Sequence, residues 1–490
     1  MSKRTIRLLL AVLAALTLVA SACSSDDDAD SGEESSAGGD SESSCKVEET
    51  DDGLEALQVP QNCATIQEAV DAASEGDLVL VDEGTYKEAV DVTTADITIR
   101  GTDRNKVILD GGFELENGIR VLDTDGVVVE NMTAHSYVSN GFFWTGSDYY
   151  RGSYLTAYRN GDYGIYSFDA YHGQLDNSLG WGSPDAGFYI GECFPCDAVI
   201  DNVDSQYNGL GYSGTNSGGD LYIINSSFSN NRAGIVPNSG SYELCYPERD
   251  STLVGNLVHD NNLVDGPGIS VSLLAQGNGI LPAGGVRNLI TKNLVYNHDR
   301  VGIALVPFPE EDANDLAPGK DTWDTPCNDV RDNEIPPIPD DQCVAVEGLL
   351  EGCVVIWNPY ENTVTDNVVE ASGAVDIAVS TVDLLGTGET TDTLGNCFSG
   401  NTFSTTAPNN LEALAPCEGE GSGGSWDDGA LDLLGLLGNP AEAPPKDSYK
   451  TTPVPPEQDN MPDATTQAPE KFEGPTKPDI DSITVPEKPA

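Results

Sequence analysis

The sequence predicts an all-β fold: a right-handed parallel β-helix solenoid with an N-terminal capping helix, flanked by disordered tails. Two repeated strand motifs carry this prediction, one that begins with glycine and one that ends in asparagine. A solenoid needs several short strands in each repeat, because one turn alone cannot bury its inward side chains. Stacked turns lie about 4.8 Å apart and share a single interior.

The first motif is a glycine followed by apolar strand residues. It begins at Gly118, Gly141, Gly164, Gly187, Gly209, Gly234, Gly268 and Gly302. The first four glycines are each 23 residues apart, a spacing typical of one solenoid turn. Together with the second motif, these copies predict about ten turns.

The second motif is an apolar or β-branched strand that ends in asparagine. Its copies end at Asn131, Asn177, Asn202, Asn225, Asn256, Asn293, Asn367 and Asn401. Asparagine tolerates left-handed backbone at tight turns and bonds nearby main chain, and amides stacked turn upon turn can bond one another in a ladder. A leucine-rich repeat has a similar period, but its leucine consensus is absent. A sandwich would need antiparallel hairpin signals, whereas Asn-Gly here heads the glycine motif.

The N-terminal part of the predicted solenoid carries a family resemblance. Residues 64–77 resemble the capping helix of pectin-lyase-like β-helices, and residues 79–92 and 97–111 resemble their first two turns. The resemblance extends over residues 45–417 and implies the fold, but this superfamily hosts many functions. It transfers no catalytic residue, because the Gly-His-Gly motif of polygalacturonases and the Asp-Pro-His-Asp motif of alginate epimerases are absent.

The first 44 residues predict export and a lipid anchor. A positive start and the apolar run from Leu8 to Val19 lead to small residues and then Cys23, so residues 1–22 read as a signal peptide. The cysteine in this place resembles a lipoprotein lipobox, which implies lipidation at Cys23 and a cell-membrane location on the extracytoplasmic face. The alternative is an ordinary signal peptide with an incidental cysteine. Residues 23–44 are acidic and small, which predicts a flexible tether.

The ten remaining cysteines predict up to five disulfides, as is usual for an exported chain. Two pairs bracket the ends of the predicted solenoid and are plausible partners, Cys45 with Cys63 and Cys397 with Cys417. The Cys193-Phe-Pro-Cys196 motif is interpreted as a structural disulfide, with a redox or metal pair as the alternative. The other connections stay open.

The net charge of the chain limits the classes of molecule that it can bind. The chain has 81 acidic residues against 23 Lys plus Arg, a net charge of −58. Such a field repels nucleic acid, and it opposes binding of a polyanionic glycan unless cations bridge the two.

Two segments break the repeat. Residues 307–358 form a Pro- and Asp-rich insertion with three cysteines, a place where function often lies. Residues 418–490 are polar and Pro-rich, which predicts a disordered tail, with the apolar run 430–437 able to dock on the C-terminal end of the solenoid.

The most specific site prediction is a carboxylate pair. Asp169 lies five residues after Gly164, and Glu192 lies five after Gly187. Equal offsets stack the two carboxylates on adjacent turns, where they would form a catalytic acid/base pair or bind Ca²⁺. Asp148 and Asp185 are expected near the same face. The alternative is that both carboxylates simply face solvent on an acidic surface.

Aromatic residues are concentrated on the same turns. Those expected to bind carbohydrate are Phe143, Trp144, Tyr149, Tyr166, Tyr171, Tyr189 and Tyr212. Aromatic faces beside carboxylates suit sugar rings, but core packing is the competing explanation. The sequence therefore favours an anchored module that binds a polysaccharide, and the alternative is a lyase, hydrolase or epimerase of a polysaccharide that uses Asp169 and Glu192.

Overall fold

The computed structural model describes residues 45–240, 243–310, 344–345, 353–381, 388–437 and 440–489. The predicted signal peptide (1–22), the lipidation site Cys23 and the tether (23–44) lie outside the described residues. The same holds for Cys327 and Cys343 of the predicted insertion.

The body of the protein is a parallel β-helix, as the repeats predict. Each turn passes through three parallel sheets, in the order sheet I, sheet II, sheet III. Sheet III holds a run of seven strands, a bridged segment at residues 280–283 and a run of three strands. The described residues therefore form eleven turns (7 + 1 + 3).

Sheet I opens each turn. Its strands are Glu55–Val59, Leu78–Val81, Thr98–Gly101, the first parts of Val128–His135 and Arg151–Tyr158, Gln174–Asp176, Ala198–Asp201, Gly218–Ile224, Arg249–Val254, Leu289–Thr291, Thr363–Thr365 and Cys397–Ser399.

Sheet II follows after a corner. Its strands are Gly84–Tyr86, Val107–Asp110, the second parts of Val128–His135 and Arg151–Tyr158, Leu179–Trp181, Asp204–Gln206, Ser227–Ser229, Leu257–His259, Leu294–Tyr296 and Val368–Glu370.

Sheet III closes each turn. Its strands are Val90–Val92, Ile119–Leu122, Phe142–Asp148, Tyr163–Tyr171, Ala186–Gly191, Leu210–Thr215, Ala233–Asn238, Val301–Leu305, Val375–Val379 and Thr406–Ala407.

The glycine motif lies at a corner where the main chain packs closely against the main chain of the neighbouring turn. A Cβ atom on Gly164 would lie 2.6 Å from the carbonyl oxygen of Gly187, and one on Gly141 would lie 2.7 Å from that of Gly164. Glycine recurs there because a side chain would strike the next turn, and not because the backbone is left-handed. Two predicted copies are wrong. The glycine in register with Gly187 and Gly234 is Gly211 and not Gly209. Gly268 precedes the helix Ser270–Ala275, and the turn is instead continued by Gly279 and Ile280.

The recurring asparagines perform both predicted roles, and the corner residue Asn202 combines them, because its amide also donates to Asn177 at 2.7 Å. Four of them occupy left-handed corners with φ between 48° and 57°: Asn131, Asn177, Asn202 and Asn225. The other four form an interior ladder, in which each side-chain amide donates to the next amide oxygen at 2.9–3.0 Å: Asn256, Asn293, Asn367 and Asn401.

Both ends of the solenoid are covered. The helix Ile66–Ala72 is capped by Thr65 and buries Ile66, Ala69 and Val70 against the first turns, as predicted. At the other end the helix Leu411–Leu414 buries Leu411 in the same core. The three predicted disulfides are present: Cys45–Cys63, Cys193–Cys196 and Cys397–Cys417.

The insertion leaves the solenoid after the ninth turn. Its described parts form a small antiparallel sheet of Phe308–Glu310, Val344–Ala345 and Cys353–Trp357. A two-residue strand, Glu48–Glu49, pairs antiparallel with Glu55–Val59 near the N-terminal end.

The C-terminal segment differs from the expected disordered tail. Residues 448–488 lie along sheets I and II, held by side chains of the solenoid that bond the segment's main chain. Composition missed this because the docking uses few apolar side chains. The predicted apolar run forms the helix Leu433–Leu437, and Leu433 packs with Ala378 and Ala407 on the outer face of sheet III. Two 3₁₀ turns, Thr391–Thr393 and Ser448–Thr451, complete the described elements.

Within the described ranges, no helix has the length and apolar character needed to cross a membrane.

Candidate functional site

The candidate site lies on the outer face of sheet III in its early turns. Alternation along each strand sends Phe142, Ile165 and Phe188 into the core. The next residue on each strand faces outward. The outward row, in register across four neighbouring strands, is Arg120, Phe143, Tyr166 and Tyr189.

Aromatic rings stack along this row. The rings of Phe143 and Tyr166 lie 4.7 Å apart, and Tyr163 stacks on Tyr166 at 4.3 Å. Both Phe143 and Tyr166 are half-buried, so part of each ring faces solvent. At the end of the row, Arg120 pairs with Asp91 at 2.9 Å.

Two residues predicted to bind carbohydrate belong to the core instead. Trp144 and Tyr212 point inward and are 1% and 0% exposed, which corrects the expectation for both. The physical reason is the two-residue period of a strand: Trp144 follows the outward Phe143, and Tyr212 is in register with the inward Phe188.

The remaining predicted aromatics divide between two corners. Tyr171 is half-buried and its hydroxyl donates to Asp169 at 3.2 Å, so it belongs to the site. Tyr149 lies at the next corner, where it is 38% exposed and stacks on His172 at 4.8 Å.

Tyr189 is in the outward row but is covered by a loop. It is 1% exposed, and its hydroxyl lies 2.6 and 2.7 Å from the two carboxylate oxygens of Glu243, to which it donates. It therefore offers no exposed ring face to a ligand.

The predicted carboxylate pair is brought together. Asp169 and Glu192 each follow a residue of the registered pair Phe168 and Gly191, and both have left-handed backbone, with φ of 48° and 52°. Adjacent turns place them about 5 Å apart. The geometry matches the equal offset from the glycines of the first motif.

Their surroundings favour a proton on at least one of the two. Burial raises the pKa of Glu192 to about 7, and the charge of Asp169 adds to the rise, although the N–H of Leu244 donates to Glu192 at 2.9 Å. Burial also raises the pKa of Asp169, and the charge of Asp123, from an earlier turn, raises it further. Close carboxyl groups that are partly desolvated commonly hold one proton between them near neutral pH.

The other two carboxylates that were expected near this face, Asp148 and Asp185, do not join the pair. Asp148 lies at the corner after sheet III, where it contacts Nδ1 of His172 at 2.5 Å. Asp185 is hydrogen-bonded to Tyr163, and burial raises the pKa of Asp185 to about 7. The row of aromatic side chains thus has carboxyl groups at both of its margins.

Sequence reasoning missed Glu243. It belongs to the connection between the strands Ala233–Asn238 and Arg249–Val254, and no motif marks it. Its pKa is raised well above the ordinary value, first by burial and then by the charges of Glu192 and Asp185. Only the folded loop brings this carboxyl to Tyr189.

The predicted calcium site would use the same two carboxylates. In the part of the chain that the structure describes, no cluster of three or more His, Cys, Asp or Glu side chains is arranged to hold a metal ion. Asp169 and Glu192 supply oxygen ligands of the kind that Ca²⁺ prefers. Calcium at this pair stays a prediction.

Comparisons with known proteins agree with the fold. Residues 140–307, about a third of the chain, match the family described as right handed beta helix region. No curated protein sequence gives a match.

Two solved structures illustrate the resemblance. One is the A-module of the mannuronan C-5 epimerase AlgE4 of Azotobacter vinelandii, at 13% identity and TM-score 0.46, covering 69% of this chain and 90% of that chain. The other is an alginate lyase from Paenibacillus sp. str. FPU-7, at 16% identity and TM-score 0.37, covering 49% and 86%. At these identities the likeness does not extend to activity.

Proposed function

Because the chain folds as a right-handed parallel β-helix, we propose that it binds a polysaccharide along the outer face of sheet III. The observation that carries this proposal is the stacked pair Phe143 and Tyr166 on the sheet whose neighbouring strands carry Asp169 and lead into Glu192. A sugar ring offers an apolar C–H face to an aromatic ring and hydroxyls at its rim to polar groups. Side chains repeated on successive turns suit a polymer, because the surface continues along the solenoid axis.

The chemistry of the face favours a neutral glycan. The chain carries a net charge of −58, and the charges of Asp123, Asp169 and Glu192 act on one another at the site. A uronate polymer would be repelled unless divalent cations bridge the two sets of carboxylates.

The place where binding occurs is part of the proposal. A lipid on Cys23, followed by the acidic tether of residues 23–44, would hold the solenoid off the extracytoplasmic face of a cell membrane. The bound partners would then be the membrane, through the lipid, and an envelope or extracellular glycan.

A glycan array followed by titration calorimetry tests the binding proposal. We expect Phe143→Ala and Tyr166→Ala each to weaken the affinity for the bound glycan about tenfold, because a lost aromatic contact in a binding site costs roughly 1–2 kcal/mol. Tyr158→Ala is the matched control, since Tyr158 also stacks on a neighbouring ring but lies on sheet II. Equal losses in all three variants would contradict a site on sheet III.

A second candidate function is cleavage or epimerisation of the bound glycan. The raised pKa of Glu192, about 7, is the observation that favours it. A carboxyl group with such a pKa can donate a proton near neutral pH, while an ionised Asp169 accepts one.

Product assays decide between the two functions. If the chain forms reducing ends, unsaturated uronates or epimerised sugars, we expect Glu192→Gln to lower the rate about 100-fold, because the amide cannot donate an acid proton. Asp148→Asn is the control, since Asp148 pairs with His172 at a different corner. If a bound glycan yields no product in long incubations, including by NMR of the sugar configuration, the catalytic alternative fails and the binding proposal stands.

A further inference from the structure

The C-terminal segment, residues 448–488, lies on a surface built to receive it. Side chains of the solenoid donate to its main-chain oxygens: Nε of Arg159 to Thr452 at 2.6 Å and Nε1 of Trp181 to Pro453 at 2.7 Å. Recognition of a Pro-rich strand by an indole N–H and neighbouring rings is a recurring way to bind extended peptides.

Buried arginines continue the contact in the early turns. Arg104 is 3% exposed and donates to Leu155 and Asn177 of the solenoid and to Asp459 of the segment. Arg100 is 2% exposed, pairs with Glu130, and donates to the carbonyl oxygens of two residues of the segment, Ala464 and Gln467, at 3.2 and 2.5 Å. The segment therefore shields two cationic groups from water.

Three lysines then follow the solenoid towards its C-terminal end. The pairs are Lys471 with Asp96 at 2.6 Å, Lys477 with Asp220 at 2.5 Å and Lys488 with Glu370 at 2.5 Å. These carboxylates lie on the second, seventh and tenth turns, so the segment follows most of the solenoid.

A small apolar patch supports the ionic contacts. Ile480 and Ile483 pack against a cluster on the outer side of sheet I, formed by Val199, Tyr222, Ile224 and Val254. The patch is limited to the seventh turn and its neighbours.

We propose that this flank of the solenoid is a docking site for an extended, lysine-bearing polypeptide, occupied here by residues 448–488 of the same chain, and that the docking is reversible. The three lysine side chains are solvent-exposed, and such ion pairs are weakened by salt. The site is distinct from the proposed glycan site, because the segment covers sheets I and II and the glycan site is on sheet III.

A chain with a nick before the segment tests this proposal. Residues 418–425 are exposed, so a protease site placed there allows the folded full chain to be cut while residues 426–490 stay in place. We expect the fragment to co-elute with the solenoid in gel filtration at low salt and to separate at about 1 M salt, where the Debye length is about 3 Å.

Charge variants test the contacts. We expect the triple substitution Lys471→Gln, Lys477→Gln and Lys488→Gln to weaken retention of the fragment about tenfold at low salt. Lys446→Gln is the control, because Lys446 is exposed and lies before the docked residues. A fragment that separates at low salt, one that stays bound equally at high salt, or equal retention in the triple variant and the control would each overturn the proposal.

Discussion

Replacing Asn293 with alanine is expected to lower the free energy of unfolding by about 3 kcal/mol, the cost of leaving two buried donors without partners. The amide oxygen of Asn293 accepts both the main-chain N–H and the side-chain amide of Asn256, each at 3.0 Å. Its own amide donates to Leu253 and to Asn367, both at 2.9 Å. The change thus interrupts the ladder between three turns.

Asn202→Ala is the matched control for this prediction. Asn202 and Asn293 share one sequence motif, but Asn202 is an exposed corner residue whose amide donates to Asn177 at 2.7 Å. Its loss should cost about 1 kcal/mol or less, mainly through the left-handed backbone. Denaturant unfolding followed by circular dichroism measures the free energy of unfolding of both variants. Equal destabilisation would mean that the interior ladder contributes no more to stability than an exposed corner residue does.

The second large effect is a loss of stability that depends on Glu248 and occurs as pH rises from about 4.3 to about 8. This side chain is fully buried, and it accepts hydrogen bonds from Asn288 at 2.7 Å and Ser251 at 2.9 Å. Burial raises the pKa of Glu248 to about 8. An unfolded glutamate has a pKa of about 4.3.

The sign follows from the proton that the folded state retains. Between about pH 4.3 and pH 8 the fold binds a proton on Glu248 that the unfolded chain releases, so the stability it gives is full below that window and is lost as pH rises through it. The loss over the whole window is expected to be about 5 kcal/mol, at roughly 1.4 kcal/mol for each pH unit.

Glu248→Gln isolates this contribution, because glutamine keeps the shape and does not ionise. Unfolding measured at about pH 5 and about pH 9 should show a steeper loss in the original chain than in the variant, by about 4 kcal/mol. Glu192, Glu243 and Asp185 contribute to the pH dependence of both proteins with the same sign. Parallel pH profiles would mean that Glu248 ionises normally in the fold.

The fold was predictable because its repeats reflect simple contacts. A side chain at Gly164 would strike the next turn, so glycine recurs at the sequence period of the solenoid. The stacked position of Asp169 and Glu192 followed from the same counting. Gly268 was wrongly predicted to begin a strand, because the helix Ser270–Ala275 follows it. Sequence spacing alone does not distinguish a strand from a short helix.

Other features depend on contacts between distant parts of the chain. Glu243 reaches Tyr189 from a separate connection, and Arg100 reaches Ala464 across 364 residues. The composition of the C-terminal segment resembles that of a disordered tail because its docking depends on main-chain hydrogen bonds and ion pairs. The corner asparagines and the ladder asparagines share one sequence motif. They occupy neighbouring positions of a turn, and the sequence does not show which way each side chain points.

The capped ends of the solenoid fix its length. An uncovered terminal turn would present unpaired strand edges that can add the strands of another molecule and grow into a fibril. Here the helices Ile66–Ala72 and Leu411–Leu414 close the core at the two ends, each beside a disulfide. The solenoid therefore cannot be extended by strands of another copy at either end. Crowding of many copies on one surface would bring their sides together without joining them end to end.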